Sequence, residues 1–462
     1  MNINPSIFKG YDIRGVYPTD LNEENIVSIV KAIYSFLHKD LPENEQLTVV
    51  VGTDMRTSSP ALTKVAIETL AAMGANVIDI GIVSTPTFYF AVSHYGYPAG
   101  FQITASHNPK EWNGIKIVKN SLNGLVKIGK AAGLDEIKNK AINNESVKSL
   151  PNGTVAKKTG ILEDEVVNAL NIVGNPQIGK FKIVADAANA MGSQYINALF
   201  EKIPQDLIKM NFELDGTFPA HQPDPLQFET LKDLQSRVLS EKADLGLAPD
   251  GDGDRLFFID EKGNVIPGTM ITALVAREIL RDHPGEKILF EIRNILTPKK
   301  IVEEYGGISI VTKVGHAFIT EALNENKGIF AGEGSGHYFF KETGNAESQI
   351  TIILFVLKVL TRDKKPLSQI IDELRRSYES GEINYKVSNA VQLLDLVKEK
   401  YSDADISTQD GVTVTYPDWR MNLRTSNTEP LLRLNVEAYK KDIMEKKRDE
   451  AIKLVESNAI RQ

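Results

Sequence analysis

An apolar strand, a polar turn, an amphipathic helix and a second apolar strand recur in that order three times along the chain. The first runs from Thr48-Val49-Val50-Val51 through Gly52-Thr53-Asp54-Met55-Arg56 to a helix over Ser59–Met73 and then Val77-Ile78-Asp79-Ile80. The second joins Ile183-Val184-Ala185, through Asp186-Ala187-Ala188-Asn189, to a helix over Ser193–Ile203 and then Leu207-Ile208. The third joins Ile288-Leu289-Phe290, through Arg293, to a helix over Pro298–Tyr305 and then Ile308-Ser309-Ile310-Val311. Strands alternating with helices fit βαβ units and largely parallel sheets, because a parallel return needs a crossover long enough to hold a helix. A chain of 462 residues is also too long for one hydrophobic core, so several α/β domains are expected.

Domain boundaries are drawn from the punctuation between these repeats. A polar, Lys-rich stretch from Lys127 to Lys158 separates the first from the second. An acidic loop ends at Arg255, after which Leu256-Phe257-Phe258-Ile259 is taken as the opening strand of the third. Beyond the helix over Gln349–Leu360, the segment Arg362-Asp363-Lys364-Lys365-Pro366 marks a further break. The alternating strands Val412–Tyr416 and Leu432–Val436 and a charged helix from Lys441 then read as a smaller α+β domain. The expected domains are 1–154, 155–255, 256–368 and 369–462.

A net charge of -8, from 53 basic and 61 acidic residues, argues against sequence-independent binding to nucleic acid or to anionic membrane. With no cysteine there is no thiolate nucleophile, disulfide or Cys-ligated metal, so any metal must be held by oxygen or histidine. The N-terminus lacks the features of a signal peptide, and no apolar run reaches the ~18 residues of a membrane span. The expected compartment is the cytoplasm, with the protein a monomer or homodimer.

The segment Asp250-Gly251-Asp252-Gly253-Asp254-Arg255 places three carboxylates two residues apart. Acids that close repel one another and call for a cation, and the intervening glycines let the backbone curl until all three face one point. An EF-hand calcium loop is matched in part by Asp250, Asp252, Asp254 and Glu261, but the position that needs Gly holds Arg255 and the flanks read as strands. Oxygen-only ligation favours a hard cation, Mg²⁺ in phosphate chemistry.

Three further segments carry chemistry. Thr104-Ala105-Ser106-His107-Asn108-Pro109 presents a serine at the end of a strand. In an extended chain His107 points away from it, and no Gly-x-Ser-x-Gly elbow surrounds it, which weakens a Ser-His-Asp hydrolase reading. Arg424-Thr425-Ser426-Asn427-Thr428-Glu429-Pro430 gathers a guanidinium with hydroxyl and amide donors suited to a phosphate dianion. Ser426 and Glu429 have the spacing of a capping box, yet Leu432, Leu434, Val436 and Ala438 alternate with polar residues as in a strand. Gly332-Glu333-Gly334-Ser335-Gly336-His337 sets a carboxylate, a hydroxyl and an imidazole among glycines that allow close approach to a polyhydroxylated ligand.

Taken in order, these four segments and the opening Gly10-Tyr11-Asp12-Ile13-Arg14-Gly15 closely resemble the α-D-phosphohexomutase superfamily, in its phosphomannomutase/phosphoglucomutase branch. The resemblance spans residues 8 to about 436. It implies three similar α/β domains with mixed sheets and a C-terminal α+β, TATA-binding-protein-like domain around a central cleft. It also implies a phosphoserine at Ser106, with Ser106, Asp250, Asp252 and Asp254 around one Mg²⁺. The implied reaction interconverts hexose 1-phosphates and 6-phosphates, of mannose and of glucose, through a hexose 1,6-bisphosphate that also serves as activator.

The matched positions imply roles residue by residue. Arg14, His107 and Lys116 support charge and proton movement beside Ser106, Lys116 within Asn113-Gly114-Ile115-Lys116. Glu333 and Ser335 grip sugar hydroxyls and His337 moves a proton. Arg424, Ser426, Asn427 and Thr428 hold the nonreacting phosphate. Tyr11, Arg255 and His316 are further substrate contacts. Arg293 stands where the family has lysine, and Gly334 where it carries methionine or glutamine, so the usual clue to the sugar is missing. The rivals are a phosphoglucosamine or glucose-only mutase, a haloacid-dehalogenase-type phosphatase using Asp250 and Asp252, and a nonenzymatic calcium-binding protein. The phosphatase type expects Thr or Val where Asp254 stands.

Overall fold

The computed structural model describes residues 3–426 and 431–460. Its first three sheets repeat one strand order. In the first, Trp112–Ser121, Ala99–Ile103, Thr48–Thr53 and Asn76–Ile82 lie side by side. In the second the order is Leu256–Asp260, Leu245–Pro249, Lys182–Asp186, Asp206–Met210, and in the third Tyr338–Phe340, Phe330–Gly332, Lys287–Glu291, Ile308–Thr312. In each, the last three strands are parallel and the first returns antiparallel. The repetition seen in the sequence is therefore one of topology, and the sheets are mixed. A fourth, antiparallel sheet is built on Leu432–Ala438 and Trp419–Thr425, covered by the helices Ala390–Lys400 and Lys441–Asn458.

Strand pairing moves two of the three expected boundaries and helix packing the third. Leu256–Asp260 is hydrogen-bonded to Leu245–Pro249, with Leu247 opposite Phe258, so it closes the second sheet instead of opening the third. Thr154–Lys157 pairs with Asn76–Ile82 and belongs wholly to the first sheet, which the division at 154/155 would cut. The helix Leu367–Leu374 buries Leu367, Ile370, Ile371 and Leu374 in the core of the third sheet, so that unit runs past residue 368.

The second and third units share one continuous core. The helix Gln349–Asp363 joins them; it is capped by Ser348, whose Oγ accepts from the Thr351 N–H, and is ended by Lys364 in the left-handed conformation. Its residues from Gln349 to Leu357 are all buried, the pattern of a helix covered on every side. Among the described residues no helix is long and apolar enough to cross a membrane.

The first and second units meet through a buried carboxyl. Thr87 Oγ1, on the helix Thr85–His94, donates to Glu165 Oε2 at 2.6 Å, and burial pushes the Glu165 carboxyl up to about 7. A carboxyl whose folded pKa lies above its unfolded value of about 4.3 favours folding at low pH, and that benefit disappears as pH rises towards 7. Glu165→Gln is therefore expected to flatten the fall in stability between about pH 4 and pH 7, and to be more stable than the parent at pH 8 by roughly 3 kcal/mol. Thermal unfolding across that range is the measurement; a parallel pH profile in both proteins would refute the assignment.

Candidate active site

The repeated topology places three of the four motif loops at equivalent positions. Thr104–Pro109, Asp250–Arg255 and the loop through Glu333–His337 each leave the carboxyl end of the third parallel strand and lead into the antiparallel return strand. Carboxyl ends of parallel strands are where α/β sheets present ligand-binding loops. In this chain the three loops converge on one another.

Ser106 has φ 53, in the left-handed region, and is 2% exposed. Its N–H donates to Thr104 Oγ1 at 3.0 Å. That conformation corrects the sequence expectation for His107, which assumed extended backbone: Ser106 Oγ lies 3.1 Å from His107 Nδ1. Burial, with Arg255 and Arg14 nearby, pushes the His107 imidazole well below its usual range and keeps it neutral. Ser106 Oγ also donates to Asp250 Oδ2 at 3.3 Å. A Cβ on Gly251 would come within 2.3 Å of the Ser106 carbonyl oxygen, so only glycine lets the acidic loop pack this closely on the serine loop.

Asp250, Asp252 and Asp254 are 0–1% exposed, and one oxygen from each lies within 4.8 Å of the others. The Lys116 ammonium donates to Asp252 Oδ2 at 2.6 Å and Asp254 Oδ2 at 2.5 Å. Burial, together with Asp254 and Asp252, drives the Asp250 carboxyl well above its usual range. Asp252 Oδ1 is buried without a hydrogen-bond partner among the described residues. A buried all-oxygen cluster with an orphaned carboxylate oxygen beside a serine hydroxyl is a donor set that fits Mg²⁺. The EF-hand alternative fails on geometry: both flanks are strands, and Glu261 accepts from the Ser368 N–H at 3.1 Å and also from its hydroxyl.

The sugar loop reaches the same point. His337 Nε2 is 3.2 Å from Asp254 Oδ1, and its Nδ1 is 2.9 Å from Glu333 Oε2 and 2.8 Å from Ser335 Oγ. Burial opposes a charge on His337, but Asp254 and Glu333 outweigh it and raise the imidazole to about 9. The same histidine helps hold Glu333 far below the carboxylate range against its burial. The Tyr11 and His316 rings lie 5.2 Å apart, and His316 is 6.0 Å from His337. Arg14 pairs with Asp12 at 2.8 Å and donates to Asn108 Oδ1 at 2.6 Å, which fixes it beside the serine loop. Arg255 stands 3.9 Å from Asp250 and 3.7 Å from Asp224.

Arg293 and Arg424 form a second group. Arg293 donates to Glu291 at 2.9 Å and to Glu382 at 3.0 Å, and lies 3.7 Å from Glu333. Arg424 is 1% exposed, and its Nη2 is 3.6 Å from Glu382. Ser426 donates its N–H to the Leu431 carbonyl across the loop between two strands. Asn427 and Thr428, the other expected phosphate contacts, lie outside the described residues.

Several residues that build the site were not singled out from the sequence. Arg56, 0% exposed, donates to the carbonyl oxygens of Ser106, Asn108, Pro109 and Trp112, all within 3.0 Å, and so sets the shape of the serine loop. Thr85 Oγ1 donates to Asp252 Oδ2 at 2.6 Å, and the Gln349 amide donates to the Asp254 carbonyl. The sequence offered one signal, Arg56 two residues after Asp54 at the end of a buried strand.

A serine, a carboxylate trio and a distal pair of buried arginines, held by three topologically equivalent loops and a fourth domain, define an enzyme that moves phosphoryl groups within its substrate. Matches to the alpha/beta/alpha domains I, II and III and the C-terminal domain of phosphoglucomutase/phosphomannomutase cover residues 5–145, 164–263, 267–378 and 382–454. The chain belongs to this family, and it is a hexose-phosphate mutase. It is 35% identical to a phosphomannomutase of Methanocaldococcus jannaschii over 97% of each chain. Identity to a phosphomannomutase of Vibrio cholerae is 36%, over 97% of this chain and 98% of that one. A crystal structure of a phosphoglucomutase/phosphomannomutase family protein from Burkholderia thailandensis superposes with a TM-score of 0.87, at 29% identity over 99% of both chains.

Proposed function

We propose that this chain interconverts the 1- and 6-phosphates of mannose and of glucose, with Ser106 carrying the phosphoryl group between the two positions. The observation that carries this reading is the position of Ser106 Oγ: buried, 3.1 Å from a neutral imidazole, 3.3 Å from Asp250, and at the meeting point of three loops. In the resting enzyme Ser106 is phosphorylated. The free hydroxyl oxygen of a hexose monophosphate attacks that phosphorus; a new O–P bond forms, the Ser106 Oγ–P bond breaks, and the hydroxyl proton passes to a base of the site. The product is a hexose 1,6-bisphosphate. It turns in the cleft and returns its other phosphate to Ser106, so phosphate count and charge balance over the cycle.

Each residue has a task set by its surroundings. Neutral His107 hydrogen-bonds the serine oxygen, while Arg14 and Lys116 place positive charge beside the transferring group. His337, protonated up to about pH 9, moves a proton at the sugar side, oriented by Glu333 and Asp254. Glu333 and Ser335 accept and donate to sugar hydroxyls, and Tyr11, Arg255, Arg293 and His316 line the remaining walls. Ser106, Asp250, Asp252 and Asp254 would hold Mg²⁺, which when bound supplies positive charge opposite the phosphate oxygens.

Arg424, with Ser426, Asn427 and Thr428, takes the phosphate that is not reacting. Arg424→Ala is expected to raise KM for mannose and glucose phosphates by similar factors, since a charged hydrogen bond is worth about 1.5–3 kcal/mol. Truncating Glu333 should change the ratio between the two sugars instead. The experiment is a set of kcat/KM values for mannose, glucose and glucosamine 1-phosphates in parent and variants. An Arg424→Ala enzyme that handles every substrate normally would remove the phosphate loop from the reading.

A further inference from the structure

Glu382 precedes the short strand Ile383–Tyr385, which pairs with Leu432–Ala438 and sets Asn384 opposite Arg433. Its carboxylate meets three guanidinium groups. Oε2 accepts from Arg293 Nη1 at 3.0 Å and stands 3.6 Å from Arg424 Nη2, while Oε1 is 3.2 Å from Arg433 Nη1. Two of these arginines are nearly inaccessible, Arg424 at 1% and Arg293 at 8%. Both retain buried donors without hydrogen-bond partners among the described residues, Arg424 Nε and Arg293 Nη2. Each guanidinium offers five N–H donors in a fork matched to oxyanions, and the orphaned donors on Arg424 and Arg293 are left for a further anion even though Arg293 also pairs with Glu291.

Arg293 also ties this cluster to the sugar loop. It lies 3.7 Å from Glu333, which is held by His337, itself 3.2 Å from Asp254. Charges of alternating sign therefore run from the acidic loop to the phosphate loop, with Glu382 carrying the chain from the third unit to the fourth. Without the carboxylate they share, the three arginines would repel one another more strongly. Burial opposes the charge on Glu382, yet Arg293, Arg433 and Arg424 outweigh it and hold the carboxyl below its usual range.

We propose that Glu382 is an internal anion of the phosphate site: it holds Arg293, Arg424 and Arg433 in place while no phosphate is bound, and lowers affinity for phosphate once one arrives. This rests on the reading that the Arg424 loop receives the nonreacting phosphate. A phosphate dianion entering there meets the same arginines and is repelled by the carboxylate, so its binding is weakened at the step where the bisphosphate must let go and turn. Glu382 is a positioning residue, since it acts on the substrate phosphate by holding the arginines and by its charge, without taking part in phosphoryl transfer.

The test uses inorganic phosphate as the probe, measured as its inhibition constant against the mutase reaction and by calorimetric titration of the full-length enzyme. Glu382→Gln keeps the shape and removes the charge. It is expected to tighten phosphate binding by about tenfold and to lower KM and kcat together, as tighter holding slows the turn. Glu382→Ala should move phosphate affinity in the same direction and stands in if the glutamine variant does not fold. A residue needed only for packing would loosen phosphate binding or leave it unchanged, and either result in a folded variant overturns the proposal. Arg424→Ala separates the two layers of argument. If it weakens phosphate while Glu382→Gln fails to tighten it, the role of Glu382 alone is wrong. If Arg424→Ala leaves phosphate binding untouched, the phosphate-loop reading fails and this inference falls with it.

Discussion

Ser106→Ala is expected to lower mutase turnover by on the order of 10³-fold or more, because it removes the atom that carries the phosphoryl group. The fold should tolerate the change. The left-handed conformation at Ser106 is held by the Thr104 hydroxyl and by Arg56 on the loop carbonyls, none of which uses Ser106 Oγ. The parent enzyme should carry phosphate on a peptide containing Ser106, stable to hydroxylamine as a phosphate ester is. A hydroxylamine-labile phosphate on Asp250 would instead mark an acyl phosphate and reverse the roles of the two loops. Slow turnover that remains in the alanine variant when hexose 1,6-bisphosphate is supplied is compatible with the mechanism, since that route needs no phosphoserine. Full turnover without it is not.

Much of this arrangement was readable along the chain because its signals are local. Alternating acids and glycines at Asp250–Arg255, the strand runs around them and the three strand–helix–strand repeats depend only on near neighbours, and each stands where its pattern put it. What could not be read was the equivalence of the three loops. That depends on which strands pair, and Leu256–Asp260 carries no mark showing that it turns back onto Leu245–Pro249. The same ignorance of pairing displaced two of the domain boundaries, and the packing of Leu367–Leu374 displaced the third.

Ser106 and His107 illustrate a different limit. Treating adjacent residues as extended separates their side chains, whereas a single left-handed φ brings Oγ and Nδ1 within 3.1 Å. Non-glycine residues rarely adopt that conformation, so sequence alone argued for the wrong geometry. Arg56 and Glu382 were passed over because a lone charge in a polar turn is usually solvated. Arg56 is instead wholly buried under the serine loop, and Glu382 meets Arg293 from 89 residues away, across a domain boundary.

Asp252→Asn is expected to weaken Mg²⁺ binding and turnover by orders of magnitude without unfolding the protein. Asp252 Oδ1 is buried with no hydrogen-bond partner among the described residues, whereas Asp254 Oδ1 has the His337 imidazole at 3.2 Å, so Asp252 Oδ1 is the oxygen of the trio most in need of a cation. The groups that hold the side chain stay in place after substitution: Thr85 donates to Oδ2 at 2.6 Å, and its N–H donates to the Asp252 carbonyl at 2.9 Å. Lys116, which shares Oδ2 with Thr85, loses a charged partner but keeps the Asp254 carboxylate. Removing one of three mutually repelling carboxylates also relieves Asp250, whose carboxyl burial and its acidic neighbours push upward. In chelator, therefore, the melting temperature of Asp252→Asn should equal or exceed that of the parent, a gain in stability where charge is gathered for function. Calorimetric titration with Mg²⁺ reads the site independently of turnover. Undiminished Mg²⁺ affinity together with a lower melting temperature would make the acidic loop a structural element. Full activity of the variant in chelator would remove the metal from the reaction.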